Sequence, residues 1–375
     1  MNHVAAFAAA GIGVGIVAGL GATPAQAGGI ERTTQSAMPL FEEGNKFTLS
    51  YGYAWPQVSG TTYAVGPFGA AGTGNVANNF ALPGFSLKMD LDDRFALALI
   101  YDRPFGADVF YDLSNPVLGG TSAVSDTSAL TALGKYKVTD NVSLFGGLRI
   151  QQSNGDITLQ GAAYSTLSGY SVSLQDDTAY GYVLGAAYEI PDIAFRLALT
   201  YNSAIEHDFD TVENINPTVT TTTQTKTPSS WNLEFQTGIA EDTLLMASVR
   251  YVEHSEFVVK PASFYGLTGR SLVNLEDTTT YRIGVGRRFS DRIAGSAMLV
   301  YEPEGDPMVS PLAPKTGMTG IQLGMSYLVS DQVEISGGIS YLMLGDATPQ
   351  TGGSARADFA DNSITAVGLK VTYSF

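Results

Sequence analysis

Six short breaks punctuate this sequence, each two or three residues long and each holding an aspartate. They are Leu91-Asp92-Asp93, Thr139-Asp140-Asn141, Pro191-Asp192, Glu241-Asp242, Ser290-Asp291 and Ser330-Asp331. A break that short, with a side chain able to bond its own backbone, suits a tight hairpin between antiparallel strands. Longer irregular stretches rich in Gly, Pro, Thr and Asp alternate with them, at about 60–79, 104–127, 154–175, 207–228, 260–276, 303–317 and 345–362. Six turns and seven loops join fourteen strands. Short turns on one side, long loops on the other and an even strand number form the pattern of a closed outer-membrane barrel, with its turns in the periplasm. The spacing is hairpin periodicity and not a true repeat.

The segments between breaks alternate. Val367, Leu369, Val371, Tyr373 and Phe375 share one face of the last strand, and Ala366, Gly368, Lys370, Thr372 and Ser374 the other. Phe47, Leu49, Tyr51, Tyr53 and Trp55 alternate in the same way with Thr48, Ser50, Gly52 and Ala54. A one-sided sheet in water would also alternate. Here the second face is Gly, Ala, Ser, Gln and scattered charge, which suits a barrel interior and turns the apolar face toward lipid. Tyr101, Tyr201, Tyr251, Tyr301 and Tyr341 fall where strands lead into long loops. Phe47, Tyr136, Tyr188, Phe289, Tyr327 and Phe375 lie near short turns or chain ends. Two aromatic bands fit two headgroup boundaries. The terminal Phe375 resembles the ending read by the barrel assembly machinery.

Composition narrows the function. Charged residues are 15% of the chain, where soluble domains run near 25%. The net charge of −16 argues against nucleic acid, and the absence of Cys rules out disulfides and Cys-ligated zinc. Three histidines leave little for a metal, and no cofactor or metal is expected. His207 beside Asp208 or Asp210 is the nearest approach to a catalytic pair. A lone histidine beside acids at a loop base is ordinarily a surface residue, so no enzyme is expected.

Residues Val4–Leu20 are almost wholly Ala, Gly, Val and Ile, and the stretch runs through Pro24 into Ala25-Gln26-Ala27. That is the form of a secretory signal peptide spanning residues 1–27. After Ala27 no run of 18 apolar residues follows, so a closed barrel is the remaining route into a membrane.

Several stretches resemble the FadL-type outer-membrane transporters of long-chain fatty acids and other hydrophobic compounds. They include Gly28-Gly29-Ile30-Glu31-Arg32, Leu40-Phe41-Glu42-Glu43-Gly44-Asn45, Tyr101-Asp102-Arg103-Pro104-Phe105-Gly106 and Gly181-Tyr182-Val183-Leu184-Gly185. Tyr301-Glu302-Pro303 followed by Ile321-Gln322-Leu323-Gly324 adds a further match. The resemblance implies an all-β, fourteen-stranded antiparallel transmembrane β-barrel at residues 47–375. It also implies an N-terminal hatch at 28–46, here without the family's Asn-Pro-Ala element. It implies multi-pass residence in the bacterial outer membrane, among its lipids, and passive uptake of hydrophobic small molecules or fatty acids.

By resemblance, ligand leaves sideways through a wall opening at a kink in the third strand, near Pro104 and Gly106. Pro104 could equally just end that strand. Met38, Leu40 and Phe41 form an apolar run in the hatch. Phe105, Phe110, Leu159 and Tyr164 are apolar loop residues able to catch a greasy ligand or to pack among themselves. Inward cations include Lys88, Lys135, Arg149, Arg196, Arg250, Arg282 and Lys370. Arg149 and Arg196 are the candidates to hold an anionic head group, although such cations could instead pair with Glu31, Glu42 and Glu43. A structural or adhesive barrel and a water-filled diffusion porin are the rival readings.

Overall fold

The computed structural model describes residues 30–375, so the expected leader at 1–27 lies outside the described residues. The wall consists of β1 (Lys46–Gln57), β2 (Phe80–Asp90), β3 (Phe95–Asp102, resuming at Gly106–Phe110), β4 (Ser122–Lys137), β5 (Val142–Leu159), β6 (Tyr170–Ile190) and β7 (Phe195–Asn202). It continues through β8 (Ser230–Ala240), β9 (Thr243–Val252), β10 (Thr278–Arg288), β11 (Ile293–Glu302), β12 (Thr316–Ser330), β13 (Val333–Gly345) and β14 (Ser363–Ser374). Each strand pairs antiparallel with its neighbours. β1 closes the ring by pairing with both β2 and β14, so Phe47 stands between Leu87 and Tyr373. All six expected short breaks are turns. No helix among the described residues is long and apolar enough to cross a membrane.

The alternation becomes sidedness. Leu49, Leu148, Leu299, Ile339 and Leu369 point outward and are exposed, whereas Thr48, Ala54, Thr131, Ala198, Ser336 and Lys370 point inward and are buried. An apolar exterior around a polar interior is stable only where the surroundings are lipid. The rings form cross-strand pairs at both rims. Tyr201 packs on Trp231 at 4.7 Å at the long-loop end, and Phe95 on Tyr136 at 5.7 Å at the short-turn end.

One expected loop is shorter than its sequence suggested. β5 runs to Leu159 and β6 starts at Tyr170, so most of 154–175 is strand. The reason is a change of environment along each strand. On the outer face of β5, Leu144, Leu148 and Ile150 give way to Gln152, Asn154 and Asp156. On its inner face Arg149, Gln151 and Ser153 give way to Ile157 and Leu159. The apolar side switches from outside to inside where the strand leaves lipid for water. Gln, Asn, Asp and Ser on the wet side hid the strand from a sequence reading. The 207–228 stretch, which in sequence reads as a polar β-ribbon, is a hairpin, Ile205–Glu213 with Thr220–Thr227, whose first arm extends the wall by pairing Thr211 with Leu174 of β6.

Two buried apolar clusters roof the long-loop end. One gathers Tyr111, Val117, Leu118, Leu342 and Phe359. The other gathers Leu159, Tyr170, Val172, Phe209, Phe264 and Leu272. A carboxylate pins the second: Glu213 accepts the backbone N–H groups of Ser263 (2.7 Å) and Phe264 (2.8 Å), and the Tyr170 hydroxyl (2.9 Å). Burial disfavours its charge, but these donors outweigh burial and hold its pKa below the ordinary value.

Candidate functional site: the lumen and a gap in its wall

The residues before β1 do not join the wall as a strand. They run inside the ring and touch it on many sides. Glu31 pairs with Arg250 of β9, Ser36 donates to Glu234 of β8 (2.8 Å), and Thr33 donates to Asp102 of β3 (2.5 Å). Asn232 of β8 donates to the Thr34 carbonyl at 2.9 Å. The apolar run Met38–Phe41 forms a single 3-10 turn with Met38, Leu40 and Phe41 buried. Phe41 meets Phe145 of β5 edge to face at 5.3 Å. Gly185 makes that contact possible, since a Cβ there would lie 2.1 Å from the Phe145 ring. Lys135 and Arg196 lie over the Phe41 ring, at 4.6 and 5.3 Å from its centroid.

The wall has a gap beside β3. The β2–β3 ladder ends at Phe85↔Tyr101. Beyond it β3 breaks at Arg103-Pro104-Phe105 and resumes at Gly106. On the β4 side, Asp102 faces Ala129 but Gly106 faces Asp126, so three residues oppose two. This is a β-bulge, placed where proline removes a ladder donor. The next rung toward β2 is the isolated bridge Ala77↔Val109. Between the two rungs the β3 edge is taken by the N-terminal segment. The N–H groups of Arg32 (2.8 Å) and Thr33 (3.3 Å) donate to the Pro104 carbonyl, and that of Gly106 donates to the Ile30 carbonyl (2.8 Å). Phe85 and Tyr101 stack at 5.6 Å on the outer sill of the gap.

A cavity of about 680 Å³ opens at the short-turn end and reaches this gap. Met38, Pro39, Phe41, Leu82 and Ile100 line its apolar part, and Lys88, Lys135, Arg196 and Lys370 stand in its charged part. Glu42, Glu43, Asp90, Asp140 and Glu189 stand there too, and Lys88 is paired with Asp90. A smaller cavity of about 90 Å³ continues past Ser36 and Met38 toward Glu234, Met246, Arg250 and Arg282.

The expected site residues thus fall in different places. The cavity gathers Met38, Phe41 and Arg196. Leu40 packs behind it with Ala96, Leu133 and Val183, and Phe105 is buried at the bulge. Leu159 and Tyr164 belong to the roof. Phe110 lies on the outer surface, because the extra residue of the bulge reverses the alternation and turns Val109 inward. Arg149 donates to Thr131 (2.8 Å) and Asn202 (3.0 Å) deep in the wall. Pro104 sits in the break. Gly106 was expected to permit a bend, but its φ is not in the left-handed region. What it supplies is space: a Cβ there would lie 2.6 Å from Nε of Arg32.

The two histidines correct an expectation, since neither is a surface residue. His207 is fully buried between Asp177 (2.8 Å) and Gln151 (3.1 Å), because the hairpin carrying it extends the wall and turns it inward. His254 is fully buried too, 3.9 Å from Glu31, and burial pushes its pKa down to about 4. Glu31, Arg32 and Asp126 were not singled out as site residues. Glu31 and Arg32 belong to a segment without periodicity, and Asp126 fell within an expected loop.

The family described as "Outer membrane protein transport protein (OMPP1/FadL/TodX)" matches residues 3–375. Among solved structures, the chain is similar to a Pseudomonas aeruginosa FadL homologue, with a TM-score of 0.70 and 18% identity over 90% of this chain and 91% of that one. It is similar to the Ralstonia pickettii toluene transporter TbuX, with a TM-score of 0.60 and 14% identity over 89% and 90%. It is also similar to the Pseudomonas putida toluene transporter TodX, with a TM-score of 0.61 and 14% identity over 94% and 96%. Such identities speak to the fold. No curated protein matches the chain in sequence.

Proposed function

Because the chain belongs to the outer membrane protein transport family (OMPP1/FadL/TodX), we propose that it takes up hydrophobic compounds passively and releases them sideways through the gap beside β3. One observation carries this reading: the lumenal cavity has the apolar side chains of Leu82, Phe85, Ile100 and Tyr101 where it meets the gap, and side chains of both charges, Lys135 and Arg196 among them, toward the turns. An amphiphile with an anionic head, such as a long-chain fatty acid, matches both parts. Its head would lie near Lys88, Lys135 and Arg196, and its tail against Met38, Phe41 and Ile100. Each CH₂ that passes straight into lipid avoids a cost of about 0.8 kcal/mol in water. The roof clusters argue against a water-filled porin, and a purely adhesive barrel has no use for such a cavity. Two of the solved relatives are toluene transporters by description, so a small aromatic is the competing substrate.

The chain has no cysteine, so a single introduced thiol can be labelled cleanly. Ala81→Cys lies on the outward-facing edge of the gap, opposite Tyr53. A bulky maleimide there should stop uptake of labelled palmitate, and the same label at Leu299→Cys, on the far wall, should not. Unchanged uptake with both labels would refute sideways release. Faster uptake of toluene than of palmitate through the unlabelled barrel would replace the proposed substrate.

A further inference from the structure

We infer that the Arg32 side chain is the stopper of the wall gap and the part that must move for ligand to leave. This rests on the sideways-release reading and adds the moving part. Arg32 starts inside the ring but does not stay there. Its guanidinium carbon sits 4.5 Å above the centroid of Phe80, on the β2 edge of the gap. Its Nε occupies the space where a side chain at Gly106, on the β3 edge, would be. Its Nη1 comes within 3.8 Å of the Asp126 carboxylate, which is half exposed on the outer surface. One side chain therefore touches both edges of the gap and reaches from lumen to exterior.

The way Arg32 is held suits a stopper. Its backbone is fixed, through the bonds of Arg32 and Thr33 to Pro104 and of Gly106 to Ile30. Among the described residues its guanidinium makes no hydrogen bond: it lies on a ring face, in the field of Asp108, and in a pair with Asp126 too long for a hydrogen bond, since that Asp126 oxygen is engaged by Arg103. Rotation about the side-chain bonds of Arg32 clears the gap without undocking the segment or breaking Glu31–Arg250. The guanidinium is planar and cationic, so it can stack on a passing ring or pair with a passing carboxylate.

The test measures initial uptake of labelled palmitate together with salt conductance of single barrels in planar bilayers. Arg32→Ala should raise uptake threefold or more at unchanged conductance, because the gap opens to lipid and not to water. Asp126→Asn, which leaves the N-terminal segment intact, should raise it by a smaller factor. Adding the Ala81→Cys label to the Arg32→Ala variant should abolish the gain. Unchanged or lower uptake in both variants would overturn the inference. A rise in uptake matched by a rise in conductance would also overturn it, because the whole segment would then have come loose. If the label at Ala81→Cys blocks the unsubstituted gap while both variants are neutral, only the stopper fails. If the label has no effect in any background, sideways release fails as well.

Discussion

Nε and Nη2 of Arg250 converge on a single oxygen of Glu31, at 2.8 and 2.5 Å, while Nη1 reaches Asn232 (2.6 Å) and Ser230 (3.0 Å). Both charged side chains are buried. Together they tie the N-terminal segment to β9 across the lumen. Removing one partner of a buried pair costs up to about 3–5 kcal/mol, and less here, because Arg282 and Lys315 also act on Glu31. Arg250→Met should therefore free the amides of residues 30–37 to exchange faster and raise single-barrel conductance. The double variant Glu31→Gln, Arg250→Gln should be milder than Arg250→Met alone. Equal exchange in Arg250→Met and the parent would show that the pair does not anchor the segment.

Leu245 and Ser248 test sidedness on one strand. Leu245 pairs outward with Val285, while Ser248 shares the inward parity of Met246 and Arg250. Leu245→Arg, two residues in from the short-turn end of β9, should lose about 1–2 kcal/mol in reversible unfolding from lipid, between the cost at the midplane and the cost near an interface. Ser248→Arg should cost less than that, because its cation enters the lumen between its cross-strand neighbours Glu234 and Arg282 and not lipid. The opposite ranking would mean that the two faces are interchanged.

Glu213 holds the roof. Glu213→Ala strands two helix-start N–H groups and a tyrosine hydroxyl, each at a cost of about 1–3 kcal/mol where water cannot reach. Protease sensitivity of residues 262–268 should rise while heat modifiability of the barrel stays as it was. Because the carboxyl is held below its ordinary value, its contribution is complete above that value and is lost as pH falls through the folded one. Roof protection that is flat from pH 6 to pH 3 would argue against this role.

His254 gives a second pH signal, in a higher window. It is neutral in the fold down to about pH 4 and charges near 6.5 when unfolded. The unfolded chain binds more protons between those values, so stability should decline from pH 6.5 toward 4. Thermal unfolding in detergent at pH 7, 5.5 and 4.5 should show a steeper decline for the parent than for His254→Gln. Parallel slopes would exclude His254 as the source.

Much of the wall was legible because alternation and turn chemistry are local. Leu49, Leu369 and Tyr373 read as a lipid face and are one. Alternation fails where tertiary structure changes its phase. The bulge at Arg103-Pro104-Phe105 turns Phe110 outward although its spacing continues the pattern. Leu159 looked like a greasy loop residue because the strand beneath it had switched solvents. Arg250 was readable as an inward cation, and Glu31 as one of three carboxylates that could meet it. The choice of Glu31 is made by where Pro104 fixes the N-terminal segment. Arg32 offered no local signal, since its role comes from a gap made by strands distant in sequence.

The polarity switch on β5 also works as a depth gauge. Sinking the barrel by two residues, about 5 Å of depth for a tilted strand, would drag Asn154 and Asp156 into hydrocarbon, and raising it would strip Leu148 and Ile150 of their acyl neighbours. The molecule therefore cannot bob, and a thinner or thicker bilayer must deform around it. β5 pairs with β4, and β4 carries Asp126 at the edge of the gap. The polar shoulder of one strand thus fixes the height at which the gap beside the next strand meets the membrane, at the boundary where acyl chains give way to head groups.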